Sequence, residues 1–537
     1  MSAPESVGSH PVLEQYATWV QETEPLSPSS VARGLWRGQL PVRDLDAATD
    51  RAEKLRGFLR ELDDVDAVTD DDRLDLATSR IDATHRLREL EELRPWARVP
   101  YLYVEEAGHA IQTALQGTDG PEGTGEDLLS TCLAALPDYL ADAARSLEAQ
   151  ATPPSYVQAA RSALPGLSDL LEQAGAGAGP REAVDGFAAT LDSLQRDATG
   201  SWVAGRDYLE HCLNEYFLVG IPVDELADWG REQVREDQEK LRAHAADTDP
   251  RRDWQQQIQD VRDDHPAPAE LLDTYRAAME RSRTHTLEHD LATIPPGEDC
   301  RIDVVPDFLR PTMPMGFMDL APAWGPSLSS ALRITPIRTV DGAPDPDHLA
   351  ESCHALITTI AGHETYPGHH LQRVHHKQAT HGNTSIRRTF FSALFVEGWG
   401  LYVEDVMRET GYMDTPGLVL YALRNSLWRS ARVVVDVGLH TGTLSQQDAV
   451  DYLMSEASLG RHIAEGEVRR YIRHDNPSYP SAYALGRQEF HRLRRDWERA
   501  GGSTQPLRGL HDAIMGFGSV PHALIRDSVL ALATSTR

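Results

Sequence analysis

The sequence predicts a mainly α-helical fold with a small β element just before its most informative helix. Three observations predict it. Apolar residues recur at three- and four-residue spacing through most of the first 290 positions, the signature of helices that bury one face. Between about 300 and 337 that spacing gives way to two short apolar runs around a proline-dense stretch that no continuous helix crosses. Beyond Pro346 helical spacing returns.

The elements follow in order. Residues 44–62 set Leu45, Leu55, Phe58, Leu59 and Leu62 among charges, and 73–93 repeat the style with Leu74, Leu76, Ile81, Leu87 and Leu90. Helices are expected at 101–115, 128–147, 156–174 and 184–194, with Gly/Pro-rich breaks at 117–125 and 175–180. Two more, 208–220 and 224–243, part near Pro222, and the charged face of the second reads as solvated surface. The strand candidates are 302–306 and 331–337, with Pro306, Pro311, Pro314, Pro322 and Pro326 filling the stretch between. One helix is then expected from Pro346 and Asp347 through His354 and Ile360. There is no internal repeat. Two regions result: a helical 1–290, and 291–537, which holds the chemistry-bearing motifs.

Composition bounds the function. The 537 residues suit several domains of ~150 residues or one large helical enzyme. There are 83 acidic against 52 basic residues, a net charge of −31, which argues against nucleic acid and anionic membrane as partners because both are polyanions. Only Lys54, Lys240 and Lys377 among the basic residues are lysine. Cys132, Cys212, Cys300 and Cys353 are widely spaced with no C-x-x-C, so buried thiols in a reducing compartment are expected. Residues 1–11 lack the pattern of a secretion signal and no apolar run approaches the ~20 residues of a membrane span, so a cytoplasmic location is expected.

The expected helix through Ile360 runs into Gly362-His363-Glu364-Thr365-Tyr366-Pro367-Gly368-His369-His370-Leu371-Gln372. This begins like the H-E-x-x-H zinc motif, in which two histidines one turn apart bind the metal and the glutamate activates water. Here the rule is bent. Pro367 stands four residues after His363, and the next histidines come six and seven residues on. In an ideal helix six positions turn about 240° and seven rise about 10 Å, so neither would share a metal with His363. Pro367 and Gly368 supply a kink that brings one of the two back beside it. A third ligand is offered by Glu397, a carboxylate among Phe390, Phe391, Leu394, Phe395, Leu401 and Val403, where it is costly unless paired or metal-bound. Glu404 and Asp405 are either acceptors that orient a histidine or surface residues.

These residues resemble the bacterial DUF885 family. The resemblance rests on His363 to Gln372, on Glu397-Gly398-Trp399, and on the later runs from Arg432 to His440, Glu467 to Tyr471 and Pro480 to Gly486. That family in turn is similar in pattern to gluzincin metallopeptidases, the M32 carboxypeptidases and M3 oligopeptidases. The resemblance implies a large helical zincin-like fold and a Zn2+ ion held by His363, His369 and Glu397, with His370 as the alternate second ligand. It implies Glu364 as general base, Tyr483 as oxyanion donor with His440 next in line, and Arg432 as a binder of a substrate carboxylate. The helical N-terminal half would wall a deep cleft that restricts substrates to short peptides, and one strand candidate would pair an extended peptide.

The expected function is therefore zinc-dependent hydrolysis, foremost of short peptides, by metal-activated water with Glu364 moving the proton. Two other readings stay open: hydrolysis of, or biosynthesis with, a non-peptide amide, and a non-catalytic helical protein with a structural or degenerate metal site. Structural zinc usually takes four ligands, often cysteine, and Cys353 lies about three turns before His363. No partner is expected beyond the peptide or amide substrate and a second copy in a homodimer. Plainer fates are expected for several residues: an Arg432–Asp436 ion pair, His375, His376 and His381 exposed on a polar stretch without a second metal, and Trp399 and Trp428 in the core.

Overall fold

Most helices begin where the sequence offers a cap or a proline. The computed structural model describes residues 10–535 apart from 28–29, 32–34, 118–124, 307–309, 311–312, 314 and 380–385. Asp44 caps helix Leu45–Asp63, and Thr69 and Asp72 form a reciprocal capping box on Asp70–Arg88. Helices Pro100–Gln116, Pro154–Gln173 and Pro416–His440 open on proline, whose missing N–H would be unpaired there anyway.

Several boundaries differ from expectation, among them the helix expected at 73–93, which is Asp70–Arg88 followed by a π turn, Glu89–Leu93. Helix Ala178–Asp197 begins inside the expected break at 175–180, because Pro180 falls in its first turn, where proline is tolerated. The break at 117–125 lies mostly outside the described residues. The helix expected at 208–220 is Arg206–His211 followed by a π turn, Cys212–Tyr216. The helix expected to start at Pro346 is two, Pro346–Glu351 and His354–Glu364, with Cys353 as the N-cap of the second.

Three strands form one sheet: β1, Asp299–Val304; β2, Gly316–Asp319; and β3, Ser329–Ile334. Its order is β1-β3-β2, with β1 parallel and β2 antiparallel to β3. β2 lies in the proline-dense stretch and has no sequence alternation to reveal it. Ile302, Leu332 and Ile334 pack with Leu271, Tyr275 and Ala278 of helix Leu271–Glu288 and with Ile357 and Ala361 of helix His354–Glu364. The sheet thus seats the helix that ends in His363 and Glu364.

The core runs without interruption through position 290. One cluster joins Tyr16, Leu55 and Phe58 to Phe395, Trp399, Tyr402 and Phe490, and another joins Val234, Leu241 and Trp254 to Leu427, Val435 and Tyr471. Helices Ala393–Glu409 and Tyr479–Arg499 approach to backbone contact: a Cβ on Gly486 would lie 2.7 Å from Gly398 Cα and nearer still to Leu394 O.

His375 and His376 are not exposed. His376 is buried and His375 Nε2 donates to Thr293 O at 2.7 Å; His381 lies outside the described residues. Their helix, His369–Ala379, uses its other cations structurally. Arg373 and Lys377, with Arg388, donate to the carbonyls of Ala321, Trp324, Ser327 and Ala323 and pin the 321–327 loop. All four cysteines are free and buried. No helix among the described residues is long and apolar enough to cross a membrane.

Candidate metal centre

The bent motif works by breaking the helix. Helix His354–Glu364 stops at Thr365, the chain turns through a cis Tyr366–Pro367 bond and Gly368, and a new helix starts at His369. Gly368 has no room for a side chain, since a Cβ would run into the His363 carbonyl. The Trp399 indole donates to Pro367 O at 2.9 Å and ties the turn to helix Ala393–Glu409. His363 and His369 therefore sit on different helices and face each other edge to face, with Nε2 to Nε2 at 3.2 Å.

Glu397 completes the group. Its Oε2 lies 3.8 Å from His369 Nε2, and the ligand atoms of His363, His369 and Glu397 all lie within 4.8 Å of one another. The residues fit a metal on chemical grounds. His363 Nδ1 donates to Glu404 Oε1 at 2.7 Å, so its Nε2 presents a lone pair. Two ligand nitrogens about 2.0–2.1 Å from a tetrahedral zinc stand about 3.3–3.4 Å apart, close to the spacing found here. Glu404 is thus the orienting carboxylate that histidine ligands commonly have.

The electrostatics of His369 and Glu397 suit ligation, while Glu404, Glu364 and Glu397 outweigh burial and raise His363. Burial holds the His369 imidazole below its ordinary pKa, although Glu364 and Glu397 pull it up. Burial also raises Glu397, but His369, the Tyr479 hydroxyl and His363 outweigh it and keep the carboxyl below the usual range. Glu364 is half-buried, and its carboxylate is the charge that His369 feels most.

His370 faces elsewhere. It is fully buried, its Nε2 donates to Glu298 Oε2 at 2.7 Å and its Nδ1 accepts from Ser330 Oγ of β3 at 2.9 Å. Tyr366 OH donates to the same Glu298 carboxylate at 2.6 Å, so Glu298 anchors both sides of the turn.

Tyr483 lies beside the centre through a residue that the sequence reading missed. Tyr479 OH donates to Glu397 Oε1 at 2.6 Å, and its oxygen is 3.2 Å from Tyr483 OH. Burial raises the Tyr483 phenol to about 12, so it stays a proton donor. The signal for Tyr479 was its place one turn before Tyr483 on the same helix face.

His440 and Arg432 have other surroundings than expected. His440 is fully buried, and its Nε2 donates to Tyr471 O at 3.0 Å. It stands eight residues, about 12 Å of helix, beyond Arg432 and is not among the groups gathered at the centre. Arg432 pairs with Glu467 at 2.9 Å, not with Asp436, and its guanidinium stacks 4.7 Å over the Tyr483 ring. Asp436 instead accepts from the Ser478 and Ser481 amides at the start of helix Tyr479–Arg499. Asp405 takes His491 Nε2 at 2.9 Å. Trp399 is core as expected, whereas Trp428 is a partly exposed platform for Arg424, Arg429 and Arg432.

Fold and site together define a mainly helical protein with a candidate His/His/Glu metal centre. The chain belongs to DUF885, a bacterial family of unknown function, whose model matches residues 28–529. No curated protein sequence matches it. Among solved structures, one described as "a putative lipoprotein of unknown function" from Shewanella oneidensis has a TM-score of 0.78 at 18% identity, covering 96% of this chain and 99% of that one. A second, "the putative lipoprotein" from Colwellia psychrerythraea, has a TM-score of 0.77 at 14% identity, covering 97% and 98%. An M32 carboxypeptidase from Deinococcus radiodurans R1 overlaps 98% of this chain and 95% of its own at 14% identity, with a TM-score of 0.40.

Proposed function

We propose that this protein is a zinc-dependent hydrolase of short peptides. The observation that carries the reading is a three-ligand centre, His363, His369 and Glu397, with Glu404 orienting the first histidine and Glu364 beside the second. Three protein ligands leave a coordination position free, as catalytic zinc sites do and structural ones do not. Zinc bound there supplies a water of pKa about 7 and polarises a carbonyl.

The chain's own groups do the rest. Glu364 accepts the water proton and hands it to the leaving amine. Tyr483, still protonated at neutral pH, donates to the oxygen on which charge develops. Tyr479 fixes the Glu397 carboxylate through its hydroxyl. In this reading Arg432 holds the carboxylate at the substrate's C-terminal end. The acidic exterior makes that local arginine matter more, because a net charge of −31 repels a free carboxylate at long range.

The test is Glu364→Gln measured for both zinc and turnover. The variant should keep one zinc per chain and lose about 10²-fold or more of kcat on dipeptides and tripeptides. Unchanged turnover removes Glu364 from the mechanism. A wild-type protein that binds zinc yet cleaves acyl-amino acids and no peptide rejects the peptidase reading.

A further inference from the structure

Three arginines gather beside Tyr483, two of them on a single carboxylate. Arg432 and Arg470 both donate to Glu467 Oε2, at 2.9 and 3.2 Å, and the Tyr471 hydroxyl donates to the same oxygen. Arg429 stands one turn before Arg432, and both guanidiniums lie 4.8 Å from the Trp428 ring. The other carboxylates nearby are spoken for. Glu404 is bonded to His363, Glu397 to Tyr479, and Asp436 to Ser478 and Ser481. Glu467 serves two of the three guanidiniums, and the third, Arg429, feels the Glu404 carboxylate more than it feels Glu467.

Several guanidinium donors are unspent. Nε and Nη1 of Arg429, Nε and Nη1 of Arg432, and Nε of Arg470 are sealed from solvent with no hydrogen-bond partner. Arg432 as a residue is only 4% exposed. Buried guanidinium N–H groups without acceptors are costly, and stacking on Trp428 and Tyr483 offsets only part of that cost. A cluster of three guanidiniums with unpaired donors on two neighbouring arginines is built to receive two negative groups.

We propose that Arg429 and Arg432 together form a dicarboxylate pocket, so that the preferred substrate carries an acidic residue, Glu or Asp, at its free C-terminus. This deepens the peptidase reading and rests on it for the word substrate. Arg432, stacked on Tyr483 next to the metal ligand Glu397, takes the terminal carboxylate. Arg429, the next arginine on the same helix, takes the side-chain carboxylate. The bidentate fork of arginine suits both.

Two measurements test this and keep the two claims apart. The first uses zinc-free wild-type protein in calorimetric titrations with glutarate, acetate and inorganic phosphate. Glutarate should bind at least about tenfold more tightly than either of the others, and Arg429→Gln and Arg432→Gln should each weaken it by about tenfold or more. Equal or tighter binding of acetate or phosphate overturns the dicarboxylate pocket. The second compares kcat/KM of zinc-loaded protein for peptides ending in Glu, in Gln, and in Glu with an amidated terminus. The Glu:Gln ratio should exceed about ten and fall toward one in Arg429→Gln, with Arg429→Lys in between. Peptide cleavage without preference for the acidic end overturns this inference and leaves the hydrolase standing. Arginine-dependent glutarate binding with no peptide cleaved does the reverse.

Discussion

Glu404 controls the centre from one residue away. By accepting from His363 Nδ1 it fixes the tautomer that turns Nε2 toward His369. Glu404→Gln keeps an acceptor but loses the charge, so zinc affinity should fall about 10- to 100-fold in a chelator competition. His370→Gln should leave that affinity where it is, because both ring nitrogens of His370 are spent on Glu298 and Ser330. If His370→Gln strips zinc and His369→Gln does not, the ligand assignment is wrong. At this scale residue type and apolar context marked out His363 and Glu397, which the fold brings together with His369. The sequence left His369 and His370 unresolved because their difference is set by partners 40 and 72 residues away from His370 in the chain. Arg429 and Arg470 escaped notice for the same reason. An arginine on a helix is ordinary until the carboxylates around it can be counted.

Helix contacts explain the glycines that the motifs carry. A glycine inside a helix costs about 1 kcal/mol relative to alanine, so three of them on two packed helices call for a reason. At Gly398 and Gly486 the reason is the other helix: the obstacles to a Cβ are backbone atoms, which cannot step aside. At Gly400 it is the candidate ligand His363, since a Cβ there would stand 2.5 Å from His363 Cε1 and 2.7 Å from its Nε2. The two kinds of glycine should fail differently. Gly486→Ala should destabilise the fold by about 1–3 kcal/mol, read as a lowered urea midpoint, because it forces the helices apart. Gly400→Ala should chiefly weaken zinc, because the imidazole is the part that must move. A Gly400→Ala variant with native zinc affinity would contradict this placement. Periodicity made the helices themselves legible, and the proline at the start of several marked their ends. It did not reveal β2, four residues with no buried alternation, nor the stop at Ser352 that divides one expected helix into two. Both depend on what lies beside them, β3 in one case and the sheet-backed helix in the other.

Across the whole molecule, burial has made a set of histidines refuse protons. His85, His376 and His522 are pushed down to about 3 and His440 and His511 to about 4, in each case mainly by burial. Their unfolded value is near 6.5, so above that pH both states are neutral and the fold keeps its full stability. Below it the unfolded chain takes up protons that the fold excludes, and stability is lost as pH falls toward the folded values. By pH 5 each such group has withdrawn about 2 kcal/mol, and five of them together rival the whole stability of an ordinary fold. Asp436 works against them. Burial raises its carboxyl to about 7, so in the same window the fold binds a proton there that the unfolded chain does not. Glu89, Glu489 and His363 are raised too and act in the same sense, but the large downward shifts of the five histidines, joined by His285 at about 4, outweigh them. The melting temperature should therefore be level from pH 8 to about 6.5 and drop steeply by pH 5, at constant ionic strength. His522 gives the sharpest check. Both of its ring nitrogens are buried without partners, and the ring packs edge-on to Phe490 at 4.2 Å. His522→Leu should raise the melting temperature at pH 7 by removing two unpaired polar atoms, and should make the acid limb shallower by about one proton. A wild-type melting temperature that stays level down to pH 5, or a His522→Leu variant with an unaltered acid limb, would show that these histidines are not what acid attacks.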